Sequence, residues 1–367
     1  MKVLWLTFIP SPYRLSFFEE LGKQCELTVL FERASSKNRK GNWNDFSFRG
    51  YDAKILPGIT IGGYDRLCLG VGKYLTKKYD HIVISNPTSP TGILAAALLR
   101  LKGIPYIVES DGAFPTGRTG GLRQWLKRFV MKPAQYCFST AKMHDAYYAE
   151  CGVTGAQLRR YPFTSLAKEN ILHDIPSEEE KQQLRTALAL PEGKLVLSVG
   201  RFTHENGYGK GFDVLMQIGE QNPEITICIV GDEPTEEFLR WKQQKNLENV
   251  HFVGFKQKEE LGKYYRCADA FALATRGDTW GLVINEAMAY GLPVITTDRC
   301  VAGLELVADG ENGYIVPVGD AGQTAHRIQE VLNDSERCRD MGRNSLGKIR
   351  AYTFEEMAAS HMRLFSE

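Results

Sequence analysis

Apolar and polar positions fall along this chain in blocks rather than singly. Residues 3–8 (VLWLTF) form a compact apolar run, 11–21 carry apolar side chains at helical spacing, and 27–31 form a second run. Continuous apolar runs of this length read as strands buried on both faces, so the order is β-α-β. It continues with a run at 81–85, a small-residue helix over 92–101 closed by Gly103, and a strand at 106–108. Such alternation predicts a parallel sheet covered by helices. Residues 34–50 (ASSKNRKGNWNDFSFRG) are polar and without period. They read as a loop at the carboxyl edge of that sheet, where loops meet ligands.

The same order starts again at 194–199 (KLVLSV), with strands at 195–199, 225–230, 250–253 and 269–273 separated by helices at 211–219, 235–244 and 258–266. Between the two regions, 168–181 is charged and poorly patterned, and reads as a linker. The expectation is an α/β protein of two Rossmann-like domains: a first domain over 1–167, a linker region over 168–190, a second domain over 191–350 and a terminal helix over 351–367. In that helix Thr353 and Glu356 form a capping box, and Met357, His361 and Leu364 share one side.

Length agrees, since 367 residues exceed one ordinary core and suit two. Two domains imply a cleft. Lys and Arg total 45 against 44 Asp and Glu. No net positive field recruits a polyanion, which disfavours nucleic acid as a partner. The eight cysteines are scattered without a C-x-x-C pair, as expected of reduced thiols in a reducing compartment. The chain enters its first strand without a secretory leader pattern. Its longest apolar run, 93–99, is broken by Arg100 and Lys102, well short of the roughly 20 residues of a bilayer helix. Together these predict a cytoplasmic protein.

The segment 276–294 (RGDTWGLVINEAMAYGLPV) carries the most chemistry. It predicts a short helix starting between Trp280 and Leu282 and stopping at Tyr290, before Gly291 and Pro293. Asp278 lies just outside the start and Glu286 lies within. Free N–H groups of a first turn and the helix dipole attract phosphate oxygens, and Gly281 permits close approach. The two carboxylates can accept hydrogen bonds from hydroxyls flanking that phosphate. A nucleotide sugar presents this pattern.

Here the chain resembles the family 4 retaining glycosyltransferases of the GT-B fold, whose signature is two acids separated by seven positions, then a small-residue helix, Gly and Pro. The first acid is usually Glu in that family, so Asp278 is one methylene shorter. The resemblance implies donor-sugar contact by Asp278, ribose contact by Glu286, and phosphate or sugar against the backbone of Trp280, Gly281 and Leu282. In GRFTHENGYGKGFDVL it implies that Arg201 and Lys210 meet the donor phosphates, with the insert 204–209 over the donor. Cations there would stabilise charge building up on the leaving group, at about 3 kcal/mol or more each. Gly231, Asp232, Gly254 and Phe255, at strand ends, would border the base pocket, though each also reads as an ordinary turn residue. In the first domain Ser11 and Arg14 (PSPYR) would contact acceptor or phosphate, although Pro12 is equally explained by capping. Asp111, or Glu109, would stand where relatives offer a His to the donor sugar.

No Asp-x-Asp triplet ends a strand, so neither metal nor other cofactor is expected. Residues 118–132 (RTGGLRQWLKRFVMK) place Leu122, Trp125, Leu126, Phe129 and Val130 on one helical face and basic residues largely on the other. Such a helix suits an anionic membrane surface; the alternative is a helix packed on its sheet with a solvated basic back. By resemblance the terminal helix crosses back to the first domain. The activity expected is retaining transfer of a sugar from a nucleoside-diphosphate sugar to a glycan or lipid-linked acceptor, similar to enzymes of bacterial capsule, O-antigen and related polysaccharide assembly. A sugar-nucleotide epimerase of the same fold and a non-catalytic sugar-nucleotide sensor remain as alternatives. A dinucleotide oxidoreductase is disfavoured because no G-x-G-x-x-G follows the first strand.

Overall fold

A computed structural model describes residues 1–35, 47–117, 120–202 and 205–367. Most of the loop at 34–50, Arg118 and Thr119 of the basic segment, and His204 of the glycine-rich insert therefore lie outside the described residues. The chain divides into two compact units, Met1–Thr164 with Thr353–Glu367, and Ser165–Tyr352.

Unit 1 contains β1 (Lys2–Thr7), α1 (Pro12–Gly22), β2 (Glu26–Phe31), β3 (Asp52–Ile55), β4 (Ile59–Ile61), β5 (Asp65–Leu67), β6 (His81–Ile84), α2 (Pro90–Leu101), β7 (Ile107–Glu109), α3 (Leu122–Met131), β8 (Tyr136–Ser139), α4 (Lys142–Glu150) and β9 (Leu158–Arg160). Its main sheet runs β3-β2-β1-β6-β7-β8-β9, every pairing parallel, and β4 and β5 form a separate antiparallel pair. Val3, Leu4, Trp5 and Leu6 of β1 are wholly buried, as a central strand covered on both faces requires.

In unit 2 the elements are α5 (Glu178–Ala187), β10 (Lys194–Gly200), α6 (Phe212–Gln221), β11 (Ile225–Gly231), α7 (Glu236–Gln244), β12 (Val250–Gly254), α8 (Lys258–Cys267), β13 (Ala270–Leu273), α9 (Leu282–Ala289), β14 (Val294–Thr297), α10 (Val301–Leu306), β15 (Gly313–Val316), α11 (Ala321–Asn333) and α12 (Ser335–Ile349). The parallel sheet has the order β12-β11-β10-β13-β14-β15. The last helix, α13 (Phe354–Phe365), belongs to unit 1. Thr353 Oγ1 accepts the Glu356 N–H at 3.3 Å, and Met357, His361 and Leu364 are buried as one face, with His361 set among Trp5, Phe17, Phe138 and Tyr161. The expected return of the terminal helix is thus observed.

The linker expected over 168–190 is not one. The division falls between Thr164 and Ser165, and the supposed linker contains α5, capped by Ser177, whose Oγ accepts the Glu180 N–H at 3.1 Å. Its inward side is not apolar. Lys181 and Arg185, one turn apart, are buried and hold the two oxygens of Asp269 at 3.0 and 2.8 Å, while Arg185 Nε donates to the Cys267 carbonyl at 2.9 Å. A helix docked through paired charges leaves no hydrophobic period to read.

Helix α3 also departs from expectation. Gln124, Val130 and Met131 face inward, and Gln124 Nε2 donates to the Glu150 carbonyl at 2.8 Å. Leu122 and Trp125 are 73% and 59% exposed. Val130 and Met131 nevertheless belong to the core of unit 1 and Phe129 packs against it, so α3 is packed on its unit while Leu122 and Trp125 stay exposed.

Candidate functional site

In both sheets the strand order reverses beside the first strand of the unit, and the crevice at the carboxyl ends of the two strands flanking such a reversal is where open parallel sheets bind ligands. In unit 2 those strands are β10 and β13. Arg201 immediately follows β10 and Asp278 follows β13, so the reversal alone brings two expected site residues to one edge.

Lys210 reaches the same place through its backbone. The Gly209 carbonyl accepts the Arg276 N–H at 3.0 Å and the Thr275 hydroxyl at 2.9 Å, and the Arg276 guanidinium forks onto both oxygens of Asp213 at 2.7 Å each. Gly211 caps α6 with φ +72°, and a Cβ there would lie 1.9 Å from the Ala274 carbonyl oxygen, so only glycine lets the loop run this close to the end of β13. Pinned in this way, Lys210 Nζ donates to Asp278 Oδ2, with side chains 16% and 17% exposed. Arg201 is exposed and forms no hydrogen bond or ion pair among the described residues.

Helix α9 begins where the pattern placed it. Gly281 is its cap residue at φ +100°; a Cβ on it would meet Cys300 Sγ at 2.6 Å and would lie 3.8 Å from Asp278 Cγ. The Asp278 carboxylate therefore sits against the start of the helix, which has no side-chain cap and no acid in its first turn. Trp280 is buried, and its Nε1 donates to Asn285 Oδ1 at 2.7 Å. Its ring is part of the packing. Leu282 is half-buried. Further along, Glu286 accepts from Ser165 Oγ at 3.2 Å and from Tyr265 Oη at 3.0 Å. Burial pushes its carboxyl above the usual range, while the bonds from Tyr265 and Ser165 and the charge of Lys258 oppose that rise. Each oxygen keeps a further lone pair for a ligand hydroxyl. Ser165 and Tyr265 carried no sequence signal, since neither belongs to a motif.

Gly231, Asp232, Gly254 and Phe255 come to the same carboxyl edge: Gly200 is in register with Gly231, and Val230 with Gly254 across an irregularity in the pairing. A Cβ on Gly231 would fall 1.7 Å from the Gly200 carbonyl oxygen, so this glycine is already required by strand packing. Gly254 has φ +75°, Asp232 is half-buried and Phe255 is exposed.

In unit 1 the expected residues form a cluster of another kind. Arg14 is buried, donating from Nη1 to Glu109 Oε1 at 2.8 Å and from Nη2 to Asp111 Oδ1. Glu109 is wholly buried and accepts also from Tyr161 Oη and Ser85 Oγ, both at 2.5 Å. Burial works to raise its carboxyl, yet the charges of Arg14 and His361 and the bonds from Arg14 and Ser85 hold it below the usual range. Asp111 Oδ2 accepts the Tyr13 hydroxyl at 2.6 Å, and its side chain remains 38% exposed. Arg14 thus holds Asp111 in place with its guanidinium committed to two carboxylates, and Asp111 rather than Glu109 is the acid that reaches the surface. Ser11 occupies the cap position of α1 and is buried. Among the described residues, no three His, Cys, Asp or Glu side chains gather as a metal site, and no helix is long and apolar enough to cross a membrane.

The chain is 28% identical to the sulfoquinovosyl transferase of Arabidopsis thaliana over 268 residues, covering 70% of the chain and 51% of that protein, so it spans about half of that relative's length. It is 27% identical to the phosphatidyl-myo-inositol mannosyltransferase of Mycobacterium leprae over 296 residues, covering 78% of the chain and 73% of the relative. Among solved structures, Anabaena HepE in complex with UDP and glucose superposes with a TM-score of 0.76 at 17% identity, covering 100% of this chain and 99% of that one, a likeness of fold. Residues 180–347 match the family described as glycosyl transferases group 1. The chain accordingly has the GT-B fold and carries, in its second unit, a domain of the glycosyl transferases group 1 family.

Proposed function

We propose that the protein is a metal-independent, retaining glycosyltransferase that moves a sugar from a nucleoside-diphosphate donor to a glycan or lipid-linked acceptor in bacterial capsule, O-antigen or related polysaccharide assembly. The observation that carries this reading is the ion pair of Lys210 and Asp278 set against the uncapped start of α9. In the free protein Asp278 holds the ammonium of Lys210. A donor diphosphate entering at the helix start takes that ammonium, with Arg201 as the second cation, and releases Asp278 to accept from sugar hydroxyls while Glu286 accepts from the ribose. The bond between the anomeric carbon and the diphosphate oxygen breaks. The acceptor oxygen bonds to the anomeric carbon on the same face, and its proton passes to an oxygen of the departing nucleoside diphosphate. Two cations and the helix dipole supply the positive charge that a divalent metal supplies elsewhere.

The protein acts on the cytoplasmic side, peripheral to the plasma membrane through the basic segment 118–132. A melting-temperature screen with UDP, GDP, ADP and their sugars tests the donor reading; a chain whose melting none of them raises does not bind such a donor. Analysis of the product anomer tests retention. Activity abolished by a chelator and restored by manganese would contradict metal independence. An epimerised sugar formed from donor alone would replace transfer with epimerisation.

A further inference from the structure

Glu32 is a wholly buried acid that the donor chemistry does not use. It follows β2 at the carboxyl edge of the unit 1 sheet, where its N–H donates to the Thr7 carbonyl at 3.0 Å. Its side-chain donors come from the turn that joins β6 to α2: Oε1 accepts from Ser89 Oγ at 2.8 Å and from Asn86 Nδ2 at 3.2 Å. Oε2 is buried as well and has no hydrogen-bond partner among the described residues.

This support is thin for a charge. Ser89 Oγ also lies 3.0 Å from the Asn86 carbonyl, so its single proton is shared between two acceptors. Glu109, equally buried, keeps its charge because Arg14 donates to it. Glu32 has no such cation: Arg33 Nη1 donates to the Tyr64 carbonyl at 2.9 Å, and Arg66 Nη2 to the Gly58 carbonyl at 2.8 Å. Asp65, on the β4–β5 hairpin, adds a like charge. Burial and that charge outweigh the bonds from Ser89, Asn86 and Thr91, and push the Glu32 carboxyl up to about 7.

Three segments meet around this carboxyl: the end of β2, the start of α2 and the hairpin. Thr91 of α2 donates to the Arg66 carbonyl at 2.7 Å and accepts the Cys68 N–H at 3.0 Å, and Cys68 Sγ in turn lies 3.6 Å from the Glu32 carbonyl oxygen. A Cβ on Gly58 would come 2.6 Å from that sulfur, so the base of the hairpin is tightly packed. The hairpin beyond it is not. Its two strands have three residues each, and Ile59, Thr60 and Ile61 are all exposed, which leaves its order dependent on the junction.

We propose that Glu32 is an acid-tightened latch: its neutral carboxyl closes the junction of β2, α2 and the hairpin, and its ionisation draws water in and loosens the hairpin over 59–67. The carboxyl titrates near 7 with the latch closed and returns towards the ordinary 4.5 once solvent reaches it. Closure is therefore strongest below 4.5, weakens as pH rises to about 7, and stays level above that. Through this window the open fraction rises by up to about tenfold per pH unit.

The test is amide hydrogen exchange of the full chain from about pH 5 to about pH 8, corrected for intrinsic exchange and read on peptides spanning 56–70. Carbon NMR follows the Glu32 carboxyl, assigned by its absence from Glu32→Gln. Wild-type peptides lose protection about tenfold or more up to about pH 7 and then level off, with the carboxyl titrating where they level. Glu32→Gln, permanently neutral, holds its protection within about twofold throughout. Asp65→Asn removes the like charge, and moves the carboxyl midpoint and the levelling point down together, a shift that loss of packing alone does not produce.

A Glu32 carboxyl that titrates in the ordinary range overturns the proposal. So does hairpin protection that ignores pH, the same loss in Glu32→Gln, or a loss shared equally by the strands of unit 2, which marks a response of the whole chain. No nucleotide enters these measurements, so their outcome leaves the donor reading standing or falling by its own screen.

Discussion

Replacing Lys210 by Ala should do two separable things. In the free protein it strands Asp278. Exposed ion pairs contribute about 0.2–1 kcal/mol, and breaking a fully buried one costs about 3–5 kcal/mol. With 16% and 17% of the two side chains exposed, the pair lies between these limits, and discounting for solvent screening gives a stability loss of about 1–2 kcal/mol. In turnover the variant lacks a cation at the departing diphosphate, worth about 3 kcal/mol, so kcat/KM should fall about 100-fold. The same loss for both effects would be a coincidence, and a double-mutant cycle with Asp278→Asn distinguishes them.

Measured by urea unfolding without ligand, the two positions should couple by about 1–2 kcal/mol. At saturating nucleoside diphosphate the ammonium turns to the phosphates, and the coupling should shrink towards zero. Asp278→Asn alone removes a competitor for Lys210 and a negative charge beside the phosphates. It should therefore bind free nucleoside diphosphate more tightly, by up to about tenfold, while transferring sugar more slowly. Coupling that persists unchanged with nucleotide bound, or weaker nucleotide binding by Asp278→Asn, would refute the idea that the pair opens for the donor.

Further outcomes follow from single positions. Gly211→Ala combines a left-handed backbone with a Cβ 1.9 Å from the Ala274 oxygen, and should lower the stability of unit 2 by about 3 kcal/mol. Gly310→Ala, left-handed at φ +81° but with nothing near its Cβ, should cost only about 1 kcal/mol by the same urea titration. Glu286→Gln keeps shape but loses a charged acceptor, so nucleotide affinity measured by calorimetry should fall about tenfold. Because burial raises the Glu286 carboxyl above the usual range, wild-type affinity should begin to drop on acidification at a higher pH than an ordinary Glu would give, a limb absent from the Gln variant. Burial lowers His361 from the ordinary 6.5 to about 4, against the opposing charge of Glu109. A depressed folded-state value means stability is full above about pH 6.5 and is lost as pH falls towards 4, by roughly 3 kcal/mol; His361→Phe should flatten that part of the profile, and an unchanged slope would assign it elsewhere.

How far the sequence foretold these contacts depends on how far apart along the chain their causes lie. Helix α9 was legible because its cap glycine, apolar spacing and terminating Gly and Pro all fall within a few residues of one another. So was the return of α13, whose cap and buried face are local to 353–364. Helix α5 was not, because its inward residues are Lys181 and Arg185 and their partner Asp269 is more than eighty positions away; to a reader of periods it is a charged tract. Lys210 could be placed near phosphate only by resemblance, and nothing in the chain announces that it rests on Asp278, sixty-eight positions on.

What secures that pair is legible only after folding. The Gly209 carbonyl is held by Thr275 and Arg276, and Arg276 is held in turn by Asp213. The same reason explains Arg14, whose place soon after β1 in the sequence suggested a ligand contact, while Glu109 at the end of β7 and Asp111 two residues on claim its guanidinium. A cation at a strand's carboxyl end is thus ambiguous on sequence alone, because the parallel sheet that gathers ligand-binding side chains at one edge gathers their internal counter-ions there too. Arg201 directly follows β10 and Arg14 lies in the first turn of α1 after β1; Glu109 and Asp111 claim Arg14, whereas no acid pairs with Arg201 among the described residues.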